Sequence, residues 1–188
     1  METVVAICSR MNMCSKEILL VSMTRFEPAF PSGNRAPAYY MLRYDEILLI
    51  IKEAEAIGIA PEYMRFNNPN VDGTSYDPWL DTINIRGNIF SDPHSPHPRD
   101  VMSVKAVLAH EYYGHRPYRA QYLLELEKGT SRDTWNDEFR ASYMAALKAP
   151  GLSDDERRSL MLDAVARATE AQVAIQLNKT MRMMIYGY

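Results

Sequence analysis

The stretch Ala109-His110-Glu111-Tyr112-Tyr113-Gly114-His115-Arg116 decides how this chain is read. It sets two imidazoles around one carboxylate in the pattern His-Glu-x-x-Gly-His. Two imidazole nitrogens suit a borderline-soft divalent metal, and a Glu beside the first His can take a proton from water on that metal. The chain has only four His, so a pair of them flanking one Glu is not what composition alone yields.

The spacing sets a geometric condition. The common zinc-protease motif places its two His at i and i+4 on one helical face, whereas here the separation is five. At roughly 100° per residue, positions i and i+4 lie about 40° apart, and i and i+5 about 140° apart. Two rings that far round a regular helix cannot share an ion. The helix must therefore gain a residue locally as a π-bulge, a distortion that favours functional sites, or loosen at its end. Gly114 suits either distortion because it lacks Cβ.

Upstream of the motif, Asp100 to Tyr113 reads as one helix with Val101, Val104 and Leu108 toward the core. Ser91 to Pro98, with three prolines and two His, cannot be regular structure. Thr82-Ile83-Asn84-Ile85-Arg86 alternates polar and apolar, as a strand with one buried face does, and Ile89-Phe90 extends it past Gly87. Tyr40 to Ile57 is helical by the spacing of Leu42, Ile47, Ile50, Ile51 and Ala54, and Gly58 closes it. Glu62 to Phe66 suits a short strand, and Asn67 to Gly73 a turn-rich loop.

Downstream, helical stretches follow one another. Tyr118 to Lys128 ends at Gly129. Asp133 to Lys148 carries Trp135, Phe139, Tyr143 and Ala146 on one side and stops at Pro150-Gly151. The last opens with the capping box Ser153-Asp154-Asp155-Glu156 and is expected to run to about Met181. The expected fold class is α+β: a small antiparallel sheet beside the metal-motif helix, then a mostly helical second half. Residues 1–38, with Pro28, Pro31, Gly33 and Pro37, read as an N-terminal cap or packing element, and residues 39–188 as the functional domain.

Composition narrows the function. At 188 residues and 47% hydrophobic, the chain can bury a core. A net charge of −3 gives no electrostatic case for nucleic acid. No apolar run spans a bilayer, and the start, Met1-Glu2-Thr3-Val4-Val5, has no basic n-region, so the expected location is cytoplasmic. Cys8 and Cys14 fit free thiols in a reducing compartment.

A catalytic zinc site needs a third protein ligand and an open fourth position. Glu138 is the candidate, on a separate helix 23 residues beyond His115. Its helical face, Glu138, Ala141, Ser142 and Ala145, is small and polar, which lets two helices approach closely. Glu170 is the reserve ligand.

His110-Glu111-Tyr112-Tyr113-Gly114-His115 followed by Asp137-Glu138-Phe139-Arg140-Ala141-Ser142 resembles the motif pair of the gluzincin metallopeptidases. In its inserted residue it is similar to the dipeptidyl peptidase III family, which pairs His-Glu-x-x-Gly-His with Glu-Glu-x-Arg-Ala-Glu. The match covers about a dozen positions, and the chain is too short for that two-lobed enzyme. Short zincin-like domains of phage-encoded and polymorphic-toxin proteins are the nearer relatives in size. The resemblance implies a zinc (Zn2+) metallopeptidase with His110, His115 and Glu138 as ligands and Glu111 as the base. Where that family has a carboxylate four residues after the ligand, this chain has Ser142, which leaves Asp137 or another acid to orient an imidazole.

Two readings stand for His94 and His97: one donates to the developing oxyanion, or both belong to a proline-stiffened surface loop. Tyr112, Tyr113, Tyr118 and Tyr143 are either phenol donors, Tyr143 among the catalytic candidates, or aromatic packing. Arg116 and Arg140 read as ion-pair residues, Arg140 ordering a ligating carboxylate. The expected activity is hydrolysis of a peptide or protein lying antiparallel to the Thr82–Phe90 strand. The other readings are an inactive zincin-like binding module and a zinc amidase with a non-peptide substrate.

Overall fold

The computed structural model describes residue 37 and residues 39–130 and 134–187. The N-terminal segment read as a cap, with Cys8 and Cys14, lies outside the described residues except for Pro37. Three short strands, β1 (Met64–Phe66), β2 (Ser75–Asp77) and β3 (Thr82–Ile85), form a sheet in the order β1-β3-β2. Six α-helices accompany it among the described residues: α1 (Tyr44–Ala56), α2 (Val104–Ala109), α3 (Arg119–Glu127), α4 (Thr134–Lys148), α5 (Asp154–Glu170) and α6 (Lys179–Tyr186). The fold is α+β with a helical second half, as the periodicity led us to expect.

Local signals account for most element ends. Gly58, at φ +74°, lets α1 close with Ile59 N–H donating to Ala54 O at 2.9 Å. α5 begins with the expected capping box, Ser153 Oγ accepting from Glu156 N and the Glu156 carboxylate from Ser153 N. Ser103 caps α2 by accepting from Ala106 N at 3.1 Å.

Four expectations are corrected. The sheet is mixed rather than antiparallel, since β1 runs parallel to β3 (Met64 opposite Ile83) and only β2 runs antiparallel to it. β3 stops at Ile85, and Gly87–Ile89 forms a 3-10 turn that carries Ile89 into the core. The helix before the motif starts at Val104 because Ser103 is its cap. Val101 is consequently exposed and Met102 takes the buried place. The last helix does not reach Met181. The chain leaves α5 at Glu170, turns at Gln172 with φ +57°, and starts α6 from an Asn178 cap. That reversal lets Met181 and Ile185 bury against the core.

Ile50, Ile57, Ile83, Ile85, Ile89, Leu108, Leu160 and Met161 are all buried, so the core lies between the sheet and the helices that carry the motif. Among the described residues, no helix is long and apolar enough to cross a membrane.

Candidate metal centre

α2 passes directly into a π-helical turn over His110–His115, followed by a 3-10 turn at Arg116–Tyr118. The extra residue between the two His is absorbed here, as the spacing required. The two rings end up on one side, with centroids 4.8 Å apart and Nε2 atoms 3.1 Å apart. Gly114 has a second role that the sequence did not disclose. A Cβ built on it would stand 2.5 Å from the Ala141 carbonyl oxygen and 2.7 Å from Ala141 Cα. The π turn therefore lies against the backbone of α4, on the face where Ala141, Ser142 and Ala145 are fully buried.

That approach delivers the third donor. Glu138 Oε2 is 3.2 Å from His110 Nε2, and Glu138 Oε1 is 3.6 Å from His115 Nε2. His110, His115 and Glu138 each offer a ligand atom, all within 4.8 Å of one another, a group close enough to hold a metal ion. Arg167, from α5, places Nη2 3.2 Å from Glu138 Oε2.

The far nitrogens of both rings are oriented through hydroxyl groups. Ser142 Oγ donates its hydrogen to Asp163 Oδ2 at 2.6 Å, so toward His110 Nδ1, 2.8 Å away, it can only accept. Tyr122 OH donates to Asp137 Oδ1 at 2.6 Å and likewise accepts from His115 Nδ1 at 3.0 Å. Burial and the bond to Asp137 raise the Tyr122 pKa, which keeps that phenol protonated. In the neutral rings both hydrogens thus sit on Nδ1, and both Nε2 lone pairs face each other and the Glu138 carboxylate. Three acceptors at this range repel unless a cation, proton or metal, lies between them.

The electrostatics agree. Burial opposes charge on His110, yet the hydrogen bond to Glu138 and the fields of Glu111, Glu138 and Asp163 outweigh it and push its pKa up to about 9. Burial acts to raise Glu138, but His110, His115 and Arg167 pull it down to about 2. The centre is built to carry positive charge between these groups.

Glu111 stands beside the trio, its Oε2 4.0 Å from His115 Nε2 and accepting from Tyr76 N–H of β2 at 2.8 Å. Burial raises its pKa above the ordinary glutamate value. Its Oε1 has no partner among the described residues. A cavity of about 260 Å³ opens over these groups, walled by Thr74, Ser75 and Tyr76 of the sheet edge, by Met102 and Val107, and by Asn88, Arg99 and Arg167.

Other candidates lie elsewhere. His94 is exposed. His97 meets Glu170 and Arg99 in an ion-pair cluster, so Glu170 is engaged there and does not join the donor group. Tyr143 stacks on Phe139 and accepts from Asn178 Nδ2 at 3.1 Å. Tyr113 OH donates to Ile57 O, Tyr112 OH accepts from Arg116, and Tyr118 lies under the Arg140 guanidinium. None of these His or Tyr side chains lines the cavity. Arg116 pairs with Asp81 at 2.9 Å. Arg140 orders Asp137, which orients His115, rather than the ligand-type Glu138.

Sequence reasoning missed Asp163, Arg167 and Arg99. Asp163 stands 21 residues beyond Ser142 and has no local signature. A fully buried Asp needs partners, but nothing in the chain says that its partner is Ser142. Comparison of the chain with protein-family models, curated proteins and solved structures gives no match.

The relay makes a prediction. Ser142→Ala removes the group that receives the His110 Nδ1 hydrogen and leaves Asp163 to Arg167. Metal affinity, read by competition against a chromophoric chelator, falls about 10–100-fold, while far-UV circular dichroism is unchanged. Unaltered affinity would mean that the hydroxyl does not orient the ring.

Proposed function

We propose that this chain is a zinc-dependent hydrolase of peptide bonds with a zincin-like site. One observation carries the reading: His110, His115 and Glu138 converge at the base of a cavity with a further carboxylate, Glu111, beside them but outside the donor trio. Two His, one carboxylate and an open fourth position form the donor set of catalytic rather than structural zinc. Ligands held tetrahedrally about 2.0–2.1 Å from one zinc stand roughly 3.3–3.4 Å apart. His110 Nε2 lies 3.1 Å from His115 Nε2 and 3.2 Å from Glu138 Oε2, both near that value.

When bound, zinc supplies a Lewis acid that polarises the scissile carbonyl and lowers the pKa of water to about 7. Glu111 takes the proton of the attacking water on Oε1, since Oε2 is held by Tyr76 N–H, and passes it to the leaving amine. Ser142–Asp163 and Tyr122–Asp137 keep the two imidazoles in the ligating tautomer. The peptide lies in the cavity walled by Ser75 and Tyr76 of β2, whose Tyr76 N–H is given to Glu111. β3, favoured by the sequence, has neighbours on both sides and no free edge for an added strand.

The test uses the whole chain. Purified protein is expected to carry one zinc and to cleave members of a mixed peptide library, with cleavage stopped by a chelator and restored by added zinc. Cleavage indifferent to the chelator, or no cleavage by fully loaded protein, would end this reading. Turnover of simple amides without peptides would replace it with an amidase.

A further inference from the structure

One cationic group at the cavity is unused by this chemistry. The loop before α2 is folded on itself: Asp92 N donates to Asp100 O at 2.6 Å, Ser95 Oγ to Asp100 Oδ2 at 2.9 Å, and His97 N to Ser95 Oγ at 3.1 Å. It presents Arg99, whose Nε donates to His97 Nδ1 at 3.0 Å and whose Nη2 donates to Glu170 Oε2 at 2.7 Å. Those bonds hold one side of the guanidinium. Its Nη1 has no partner among the described residues, and the side chain is 34% exposed. Arg99 lines the same cavity as His110, Glu111, His115 and Glu138.

A neutral peptide unit does not need a cation at this position. A planar, pre-oriented guanidinium with open donors is suited to a carboxylate, which it binds through charge-assisted hydrogen bonds. Arg167 lines the cavity too, but it meets two carboxylates, Asp163 and Glu138, whereas Arg99 meets one, Glu170, and keeps Nη1 for a second. The cavity, at about 260 Å³, is smaller than the roughly 300–1,000 Å³ usual for ligand sites. A group held at Arg99 therefore shares one small cavity with the bond facing Glu111.

We propose that Arg99 binds a substrate carboxylate, so that the preferred substrate is a peptide carrying a carboxylate close to the scissile bond. This rests on the hydrolase reading above. The carboxylate comes either from the peptide C-terminus or from an Asp or Glu side chain, and the test separates the two.

Zinc-loaded Glu111→Gln protein is titrated calorimetrically with matched peptides: free C-terminal acid against C-terminal amide, and an amide with internal Glu against the same with Gln. The acid of the favoured pair binds roughly tenfold or more tighter than its neutral partner. Arg99→Gln abolishes that preference and leaves affinity for the neutral peptide within about twofold, while Arg99→Lys restores part of it. A merely structural role would weaken charged and neutral peptides alike. The ratio of kcat/KM values for the same pairs, measured in protein that retains Glu111, moves in parallel. Equal binding of charged and neutral peptides, or a preference that survives Arg99→Gln, overturns the proposal. If peptides are cleaved without regard to charge, only this inference fails. If loaded protein neither binds nor cleaves any of them, the hydrolase reading fails with it.

Discussion

On the proposed hydrolase reading, Glu111→Gln is expected to retain one zinc per chain and to lower kcat by about 10²–10⁴-fold, the usual worth of a positioned general base. The substitution is close to isosteric. Tyr76 N–H, which donates to Glu111 Oε2 at 2.8 Å, can donate to an amide oxygen just as well, so the π turn keeps its contact with β2. Nor does the change touch the trio, because Glu111 stands 4.0 Å from His115 Nε2 while the donor atoms of the trio lie closer to one another. What disappears is a group able to accept a proton. KM should change little, since a base acts in the transition state rather than on the bound substrate. Metal analysis with steady-state kinetics on a cleaved library peptide decides the matter. Full activity in this variant would remove Glu111 from the mechanism. Loss of zinc would show it to be a ligand.

Gly114→Ala is expected to damage both stability and metal binding although it adds one methyl group. The new Cβ would stand 2.5, 2.7 and 2.8 Å from the oxygen, Cα and carbonyl carbon of Ala141, all backbone atoms that cannot rotate away. Either α4 moves off or the π turn reverts toward a regular helix. Overpacking of this kind costs about 1–3 kcal/mol, or a fall in Tm of roughly 2–12 °C for a domain of this size. Both adjustments separate Glu138 from the imidazoles, since the carboxylate rides on α4 and the rings on the turn. Metal affinity is therefore expected to drop together with Tm. Calorimetry on metal-free protein, joined to a chelator competition, reads the two effects separately. A variant of normal stability and normal affinity would mean that α4 does not bear on Gly114.

Much of the centre was legible because its conditions are local. A separation of five positions from His110 to His115 admits a shared ion only if the helix is distorted, and the distortion lies where that arithmetic put it. Glu138 was legible because the small face around it, Ala141, Ser142 and Ala145, allows close approach, and that face is buried against the turn. The capping box at Ser153 and the stop at Gly58 also depend on a few adjacent residues. β2 left no such trace: three residues, Ser75-Tyr76-Asp77, are too few to show a period, and they form a strand because β3 offers a partner. The break after Glu170 is likewise unmarked by Pro or Gly. The chain turns there so that Met181 and Ile185 can reach the core.

By itself the sequence determined which groups could meet a cation and what the backbone must do to bring two of them together. Helical angle and side-chain chemistry are properties of a short stretch, so they are present before the chain folds. Only the tertiary structure decided which partners set those groups' tautomers and charge. Asp163 reaches His110 through Ser142, Tyr122 and Asp137 hold His115, Tyr76 holds Glu111, and Arg99 enters the cavity from a loop. Such pairings follow from packing between distant elements, and no spacing along the chain encodes them.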